Sequence, residues 1–360
     1  MHSHQRLSFI ITSVFALFTQ ALHAERVVVV AGGGSEVSGL AIRCRLHAPF
    51  GIDFDHSGNM YTVEMAGGER VLRVDSRGML TVVAGTGEKG DSGDGGPAAQ
   101  AQFNGMHSLA VGPTDDLFLA DTWNNRVRRI DAKTGKVYPF AGTGRKGFTG
   151  DGGPASAAEF GNVYCVAFDA RRENLYLADL DNRRIRAVDL KTGIVKTVAG
   201  NGEKGAPQDG AEATQAPLVD PRAVAVDSMG NLYILERSGH ALRVVDRNMK
   251  IRTVAGTGRK GSDGDDGEAL KASFNEPKHL CVDGSDNVII ADTDNHVIRK
   301  YLSKENRIIR VAGSGKSGAG GIGGPTGAVE LTQPHGVCVD KSGSLYIADS
   351  LNNRVLKIEP

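Results

Sequence analysis

The sequence has no excess of charge of either sign. Its 360 residues include 42 lysines and arginines and 42 aspartates and glutamates, so the formal net charge at pH 7 is zero. Proteins that bind nucleic acids or acidic membrane surfaces carry clustered basic residues and a positive field. The balanced composition therefore argues against both kinds of partner.

Long apolar segments are also scarce. Apart from one N-terminal run, LSFIITSVFALFTQAL, no stretch is long enough for a transmembrane helix. The run follows His2, His4 and Arg6, so residues 1–24 are predicted to be a secretory signal peptide that is cleaved after Ala24 and leaves no membrane span. This interpretation predicts a secreted or periplasmic protein. An uncleaved membrane anchor is the alternative.

Glycine, by contrast, is abundant and recurs at regular spacing. A motif AGTG, or a close variant of it, begins at Ala31, Ala84, Ala141, Ala199, Ala255 and Ala312. Each unit also repeats an alternating segment that ends in VD, a second one such as SLYIAD, a polar tetrad, and two further alternating segments. Four such segments per repeat predict a four-stranded antiparallel meander, with the tetrad as the turn between its second and third strands.

Six meanders arranged radially cover one another's faces, which a single meander cannot do. The sequence therefore predicts an all-β fold, a six-bladed β-propeller formed as one domain by residues 25–360, and we expect a monomer. The chain starts with a fourth-strand sequence, VVVVAGGG, and ends after a third strand at Glu359. We therefore predict that the N-terminal strand completes the last blade.

The repeat resembles the NHL repeat over essentially all of the predicted mature chain. The segment PHGVCVDKSGSLYIADSLNNRVLKIE carries nearly the whole signature, whereas the first and fourth repeats depart at the tetrad, with VEMAGGERV and LERSGHALRV. We expect the recurring strand-end aspartates to be a structural device that accepts turn amides. In this interpretation arginines such as Arg126, Arg183 and Arg354 begin the next strand and pair across the hairpin.

The tetrads and the long glycine-rich loops are predicted to share one face of the propeller, because antiparallel strands alternate in direction. Long loops on a rigid scaffold are the usual location of binding residues. No GxSxG, HExxH or CxxC motif occurs, so the first hypothesis is that this face binds a protein, peptide or glycan without catalysis. The candidate binding residues are Trp123, Asp94, Asp151, Asp265, Arg222, Lys278 and Tyr164.

Three of these residues have alternative interpretations. Asp94 and Asp265 lie in the acidic segments DSGDGG and SDGDDGE, whose oxygens suit calcium but whose Asp-Gly pairs are also ordinary turn formers. Trp123 either stacks on a ligand or caps the edge of the second blade.

The first strand of each blade is predicted to line a central channel. Alignment of these strands places six residues at one position near the strand start: Phe50, His107, Tyr164, Arg222, Lys278 and His335. The segments MHSLAV and PHGVCVD resemble the strand-start histidine segments of peptidyl-hydroxyglycine amidating lyase, which is itself an NHL propeller that binds zinc. The resemblance implies His107 and His335 as ligands of a divalent metal. The alternative is that both are polar residues at a wet channel mouth.

A second functional hypothesis follows from this resemblance. A divalent ion such as zinc, held by His107 and His335, would serve a metal-dependent lyase or a lactone hydrolase, by analogy with the amidating lyase and with gluconolactonase-like propellers. Calcium, the other divalent metal considered, would be held by the acidic loop segments. His279 is a further candidate ligand, although its side chain is expected on the other face of its strand. Asp53 replaces the Ala or Cys of later blades and is either a catalytic acid or base, or a partner for a nearby amide.

Cysteine is rare, with four residues in the chain. An even count in an exported chain suggests disulfides. However, Cys281 and Cys338 occupy strand-interior positions where other repeats carry alanine, which is typical of small buried side chains. We therefore expect Cys44, Cys165, Cys281 and Cys338 to be mostly free thiols.

Overall fold

The structure is a computed structural model that describes residues 25–65 and 67–359 of the chain. The predicted signal peptide, residues 1–24, lies outside the described residues. Within them, no helix combines the length and the apolar character that crossing a membrane requires.

The described residues form six antiparallel sheets arranged as blades, which confirms the predicted six-bladed β-propeller. Blade 1 comprises β2 (Gly39–Leu40), β3 (Pro49–Phe54), β4 (Met60–Glu64), β5 (Val71–Val74) and β6 (Met79–Ala84). Blade 2 comprises β7 (Met106–Val111), β8 (Leu117–Asp121), β9 (Arg126–Ile130) and β10 (Val137–Ala141). Blade 3 comprises β11 (Val163–Phe168), β12 (Asn174–Asp179), β13 (Arg184–Asp189) and β14 (Val195–Ala199).

The remaining blades follow the same plan. Blade 4 comprises β15 (Ala211–Glu212), β16 (Pro221–Val226), β17 (Leu232–Glu236), β18 (Ala241–Val245) and β19 (Lys250–Ala255). Blade 5 comprises β20 (Gly267–Glu268), β21 (His279–Val282), β22 (Val288–Asp292), β23 (Val297–Leu302) and β24 (Arg307–Ala312). Blade 6 comprises β25 (Gly336–Val339), β26 (Leu345–Asp349), β27 (Arg354–Glu359) and the N-terminal strand β1 (Arg26–Gly32).

Short 3-10 helices interrupt the loops between the strands. They are Ala41–Arg43, Ala98–Gln100, Thr122–Asn124, Ala155–Ala157, Ala213–Gln215, Ala269–Lys271, Thr293–Asn295, Thr326–Ala328 and Ser350–Asn352. The two-residue strands β2, β15 and β20 were not predicted. Each forms where an incoming long loop pairs with the outer strand of the blade it enters.

The ring closes through strands from the two ends of the chain, as predicted. β1 pairs antiparallel with β27, in a register that sets Arg26 opposite Glu359 and Gly32 opposite Arg354. Val27 is fully buried at this joint. Backbone hydrogen bonds between distant parts of the sequence therefore hold the last blade together.

A buried carboxylate at the end of the second strand fastens each long loop. Asp121 accepts a hydrogen bond from the Asn104 backbone N–H at 2.8 Å and from Asn124 Nδ2 at 2.9 Å. The equivalent aspartates of blades 3, 5 and 6 accept from the backbone amides of Gly161, Asn275 and Thr332. In blades 1 and 4, where the tetrad departs from the pattern, Glu64 and Glu236 accept from His47 and Val219.

This arrangement extends one expectation about the tetrad and corrects another. The aspartates accept side-chain amides of their own turns, as expected, and they also accept a backbone amide of the preceding long loop. Arg183 does not begin a strand, because it has the left-handed backbone conformation that ends the turn, and β13 starts at Arg184.

Candidate functional site

Three of the candidate binding residues on the loops have structural partners. Asp94 lies 2.6 Å from Arg128 Nη2. Asp151 and Asp265 lie 2.8 Å from the equivalent arginines, Arg186 and Arg299. These arginines lie on the third strands and are almost completely buried. The three carboxylates therefore anchor the glycine-rich loops to the blades.

The six aligned strand-start residues lie around the mouth of the channel on the loop face, and five of them are linked by direct contacts. We call these six side chains the mouth ring. The Phe50 ring is stacked on His335 at 4.2 Å between centroids and is edge-on to His107 at 5.2 Å. His107 in turn lies 4.6 Å from the Tyr164 ring, and the Arg222 guanidinium lies 4.1 Å above that ring. Lys278 completes the mouth ring.

Both histidines of the mouth ring are neutral at pH 7. Burial, with the nearby Arg222 charge, lowers the pKa of His107 well below its usual value. Burial and the Lys278 charge have the same effect on the pKa of His335. Nδ1 of His107 lies 2.7 Å from the Gly105 carbonyl oxygen, and Nδ1 of His335 lies 2.7 Å from the Gln333 carbonyl oxygen. Because a carbonyl can only accept, Nδ1 carries the proton and Nε2 is left as an acceptor.

Trp123 extends the aromatic half of the mouth. Its ring centroid is 5.7 Å from that of His107, and Lys89 Nζ is 5.2 Å from the indole centroid. The indole packs directly over Gly105, where a side chain would collide with it. Trp123 is 38% exposed, so it presents an accessible flat surface beside the ring. The sequence analysis did not identify Lys89, which lies in a long loop with no distinguishing local pattern.

The other half of the mouth is basic. Arg222 is 5% exposed, and Lys278 Nζ lies 3.7 Å from Asp294 Oδ1. Arg237 adds a third cation, but its Nε donates to Asp220 at 2.8 Å. The sequence analysis did not identify Arg237. It lies in LERSGHALRV, the segment where blade 4 departs from the repeat, and this departure was the available signal.

The remaining catalytic and metal candidates lie below the mouth. Asp53 and His279 line a cavity of about 330 Å³ together with Cys281 and Cys338, and the turn at Arg172 places this cavity toward the opposite face. The two carboxylate oxygens of Asp53 accept the backbone amides of Phe54 and Val111, both at 2.8 Å. Asp53 therefore serves as an amide partner. All four cysteines are free thiols, as expected.

These residues do not fit a metal centre. His107 and His335 are neutral imidazoles, but the Phe50 ring lies between them in contact with both. His279 Nδ1 is an acceptor for the Val337 amide at 3.3 Å. Within residues 25–65 and 67–359, no three His, Cys, Asp or Glu side chains cluster closely enough to hold an ion. The part of the chain that the structure describes thus provides neither the three protein ligands of a catalytic zinc nor an acidic calcium cluster on the loops.

The neutral state of His335 predicts a specific pH dependence of stability. Its folded pKa lies well below 6.5, the ordinary value expected for the unfolded chain. As the pH falls below 6.5, the unfolded state gains a proton that the folded state does not, so the stability falls toward the folded pKa. Lys278, Arg222 and His279 face this imidazole and add to the effect.

We therefore expect the wild-type protein to lose about 1–2 kcal/mol more than His335→Gln between pH 7.5 and about pH 5. Urea unfolding at the two pH values measures this difference. Glutamine cannot titrate in this pH range. If the two proteins lose the same unfolding free energy, the pKa of His335 in the folded protein is not lowered.

The fold and the mouth ring define a six-bladed β-propeller with a lined channel mouth, and comparisons with known proteins identify its repeats. The family model described as Teneurin NHL domain matches residues 156–263, and the model described as NHL repeat matches residues 331–358. The chain is thus a six-bladed β-propeller with matches to NHL-repeat models in two parts of its sequence.

Curated relatives are identical to this chain at about a quarter of the aligned residues. SUPPRESSOR OF QUENCHING 1, chloroplastic, from Arabidopsis thaliana is 26% identical over 284 residues, which covers 76% of this chain and 27% of that protein. NHL repeat-containing protein 2 from Bos taurus is 27% identical over 271 residues, which covers 65% of this chain and 36% of that protein. The chain thus spans about a third of the length of these relatives.

Solved structures share the fold at low sequence identity. An auxiliary nutrient binding protein from Bacteroides thetaiotaomicron has a TM-score of 0.67 at 16% identity, covering 93% of this chain and 76% of that chain. A streptogramin B lyase has a TM-score of 0.54 at 12% identity, covering 93% of this chain and 98% of that chain. At these identities the likeness concerns the fold alone.

Proposed function

We propose that this propeller is an extracytoplasmic, monomeric binding protein whose ligand, a group on a protein, peptide or glycan, enters the mouth ring on the loop face. The observation that carries the proposal is the mouth ring itself. Six blades each contribute one side chain to it, and five of the six are linked by direct ring contacts. A binding surface assembled on rigid strands needs little reorganisation when a ligand arrives.

The surrounding loops support this proposal. Buried carboxylates and arginines fasten them to the blades, so the wall around the mouth is rigid as well. Rings and an exposed indole on one side and cations on the other offer stacking and charge-assisted hydrogen bonds, the two interactions that dominate compact binding sites. One structural neighbour is described as an auxiliary nutrient binding protein, which agrees with a binding role.

We do not propose the metal-dependent lyase or lactone hydrolase. Such a mechanism requires an ion to polarise a substrate oxygen or to activate water. His107 and His335 are separated by Phe50, and Asp53 is engaged by two amides below the mouth. The residues of the mouth therefore bind and orient a ligand without an evident means of transforming it.

A binding screen with a mouth variant tests the proposal. Purified wild-type protein, Tyr164→Ala and Lys133→Ala would be titrated against arrays of defined peptides and glycans, with circular dichroism to verify folding. Lys133 is exposed in a turn on the opposite face and serves as the control. We expect Tyr164→Ala to weaken binding by about tenfold or more through loss of stacking, and Lys133→Ala to bind like wild type.

Two results would contradict the proposal. One is a set of ligands that bind Tyr164→Ala as tightly as wild type, which would place binding away from the mouth. The other is a wild-type protein that recognises no peptide or glycan on either array.

A further inference from the structure

We propose that the basic half of the mouth ring, Arg222 with Lys278, binds a carboxylate group of the ligand. This inference rests on the proposed function and extends it, because it names the chemistry that the mouth recognises. It depends on the contrast between Arg222 and the other buried arginines of the propeller.

Arg222 is a buried cation without an internal counter-ion. The structure gives its guanidinium no hydrogen bond and no ion pair among the described residues, and Nε is fully buried with no partner. Its one strong contact is the face of the Tyr164 ring at 4.1 Å. Burial lowers its pKa to about 10, so it remains charged at pH 7. A buried charge without a partner is costly and is seldom retained without a function.

The other buried arginines show how this fold normally satisfies such a charge. Arg128 pairs with Asp94, Arg299 with Asp265, and Arg354 with Asp349 at 2.7 Å. Arg243 pairs with Glu236 at 2.7 Å. Arg222 lies one residue after Pro221 at the start of an inner strand, and it faces the channel mouth instead of a neighbouring loop.

The carboxylates nearest to Arg222 are already engaged. Asp220 accepts from Arg237 Nε and from Ser238 Oγ, and Glu276 lies 3.6 Å from Arg237. Asp294 is 3.7 Å from Lys278 Nζ and accepts from the side chain of Gln333. Arg222 is therefore left without a direct ion pair among the described residues, and an incoming anion would supply one.

A carboxylate matches this site better than a phosphate does. The planar guanidinium donates two parallel hydrogen bonds to the two oxygens of a carboxylate, and Lys278 adds one further charge. The rest of the ring consists of Phe50, Tyr164 and two neutral imidazoles whose free nitrogens are acceptors. These groups have few hydrogen-bond donors for the additional oxygens of a phosphate. They suit an apolar group attached to a carboxylate.

Matched small molecules test the inference. Phenylacetate, phenylacetamide and inorganic phosphate would be titrated by calorimetry into wild type, Arg222→Met and Lys133→Met. Lys133 serves as the control because it is an exposed cation in a turn on the opposite face. We expect wild type and Lys133→Met to prefer phenylacetate over phenylacetamide by about tenfold or more, and Arg222→Met to lose this preference.

A second measurement separates a ligand-binding role from a structural one. In the ligand-free protein, Arg222→Met should raise the thermal midpoint by about 2 °C or more, because it removes an unpaired buried charge and leaves an apolar side chain against Tyr164. Arg128→Met should lower the midpoint, because it removes one of the two arginines that pair with Asp94 and Asp121. A midpoint that falls in Arg222→Met as it does in Arg128→Met would overturn the inference.

The outcomes distinguish this inference from the proposed function. If wild type does not prefer phenylacetate over phenylacetamide, or if Arg222→Met keeps the preference, the carboxylate site is wrong. If phosphate binds more tightly than phenylacetate and depends on Arg222, the anion is a phosphate and the carboxylate assignment fails. In each of these cases, loss of peptide or glycan binding in Tyr164→Ala would still support the mouth as the binding site.

Discussion

Replacing Asp292 by alanine is expected to lower the free energy of unfolding by about 3–5 kcal/mol. Its carboxylate is completely buried and accepts hydrogen bonds from the Asn275 amide and from Asn295 Nδ2, both at 2.8 Å. It also lies 3.4 Å from Nη1 of the buried Arg299. Alanine would leave an amide unsatisfied and would remove one of the two carboxylates that balance this arginine. The midpoint and slope of urea unfolding measure the loss.

A surface pair in the same blade provides the control for Asp292. Glu305 lies 3.6 Å from Arg307, and both side chains are about half exposed. Because exposed ion pairs contribute little, Glu305→Ala should change the unfolding free energy by at most about 0.5 kcal/mol. If Asp292→Ala and Glu305→Ala differ by less than about 1 kcal/mol, the strand-end carboxylates do not hold the loops as the structure implies.

Deleting residues 25–32 is expected to prevent the chain from forming a stable monomeric propeller. Without β1, the backbone of β27 loses the strand Arg26–Gly32 that pairs with it. The fully buried Val27 is lost as well. Unpaired strand edges associate with other chains. We therefore expect the truncated protein to elute as oligomers or aggregates in size-exclusion chromatography and to lose its cooperative thermal transition.

Two further samples make the truncation experiment specific. Arg26→Ala removes only the exposed pair with Glu359 and should leave the transition within about 1 °C of wild type. A synthetic peptide of residues 25–34 added to the truncated protein should restore monomers, because it can refill the vacant edge of blade 6. A monomeric truncated protein with an unchanged transition would mean that β1 does not close the ring.

The repeat pattern was sufficient to predict the architecture, because period-two alternation and recurrent turns are local properties of a sequence. Alignment of the repeats also predicted which residues meet at the mouth, since equivalent positions of equivalent blades converge on the axis. The separation of the two histidines by Phe50 was not predictable in this way. It depends on ring orientations that only the packed structure defines.

The loop carboxylates show a recurring feature of the sequence that was not interpreted, namely the spacing between each aspartate and its arginine partner. Asp94 and Asp265 each precede their arginine partner by 34 residues, and Asp151 precedes Arg186 at nearly the same spacing. This recurrence indicated a structural pair, yet in single loops the aspartates resembled ligands for calcium. Arg222 is the opposite case, because its lack of a partner can be recognised only when every neighbouring carboxylate has been assigned.

The antiparallel joint between β1 and β27 also determines how the propeller attaches to other modules. Arg26 and Glu359 lie side by side, so a polypeptide would enter and leave the disc at a single point on its circumference. Neighbouring modules joined there would neither cross the axial opening nor pull the blades apart. In relatives of about two to three times this length, such an attachment would leave the axial opening accessible.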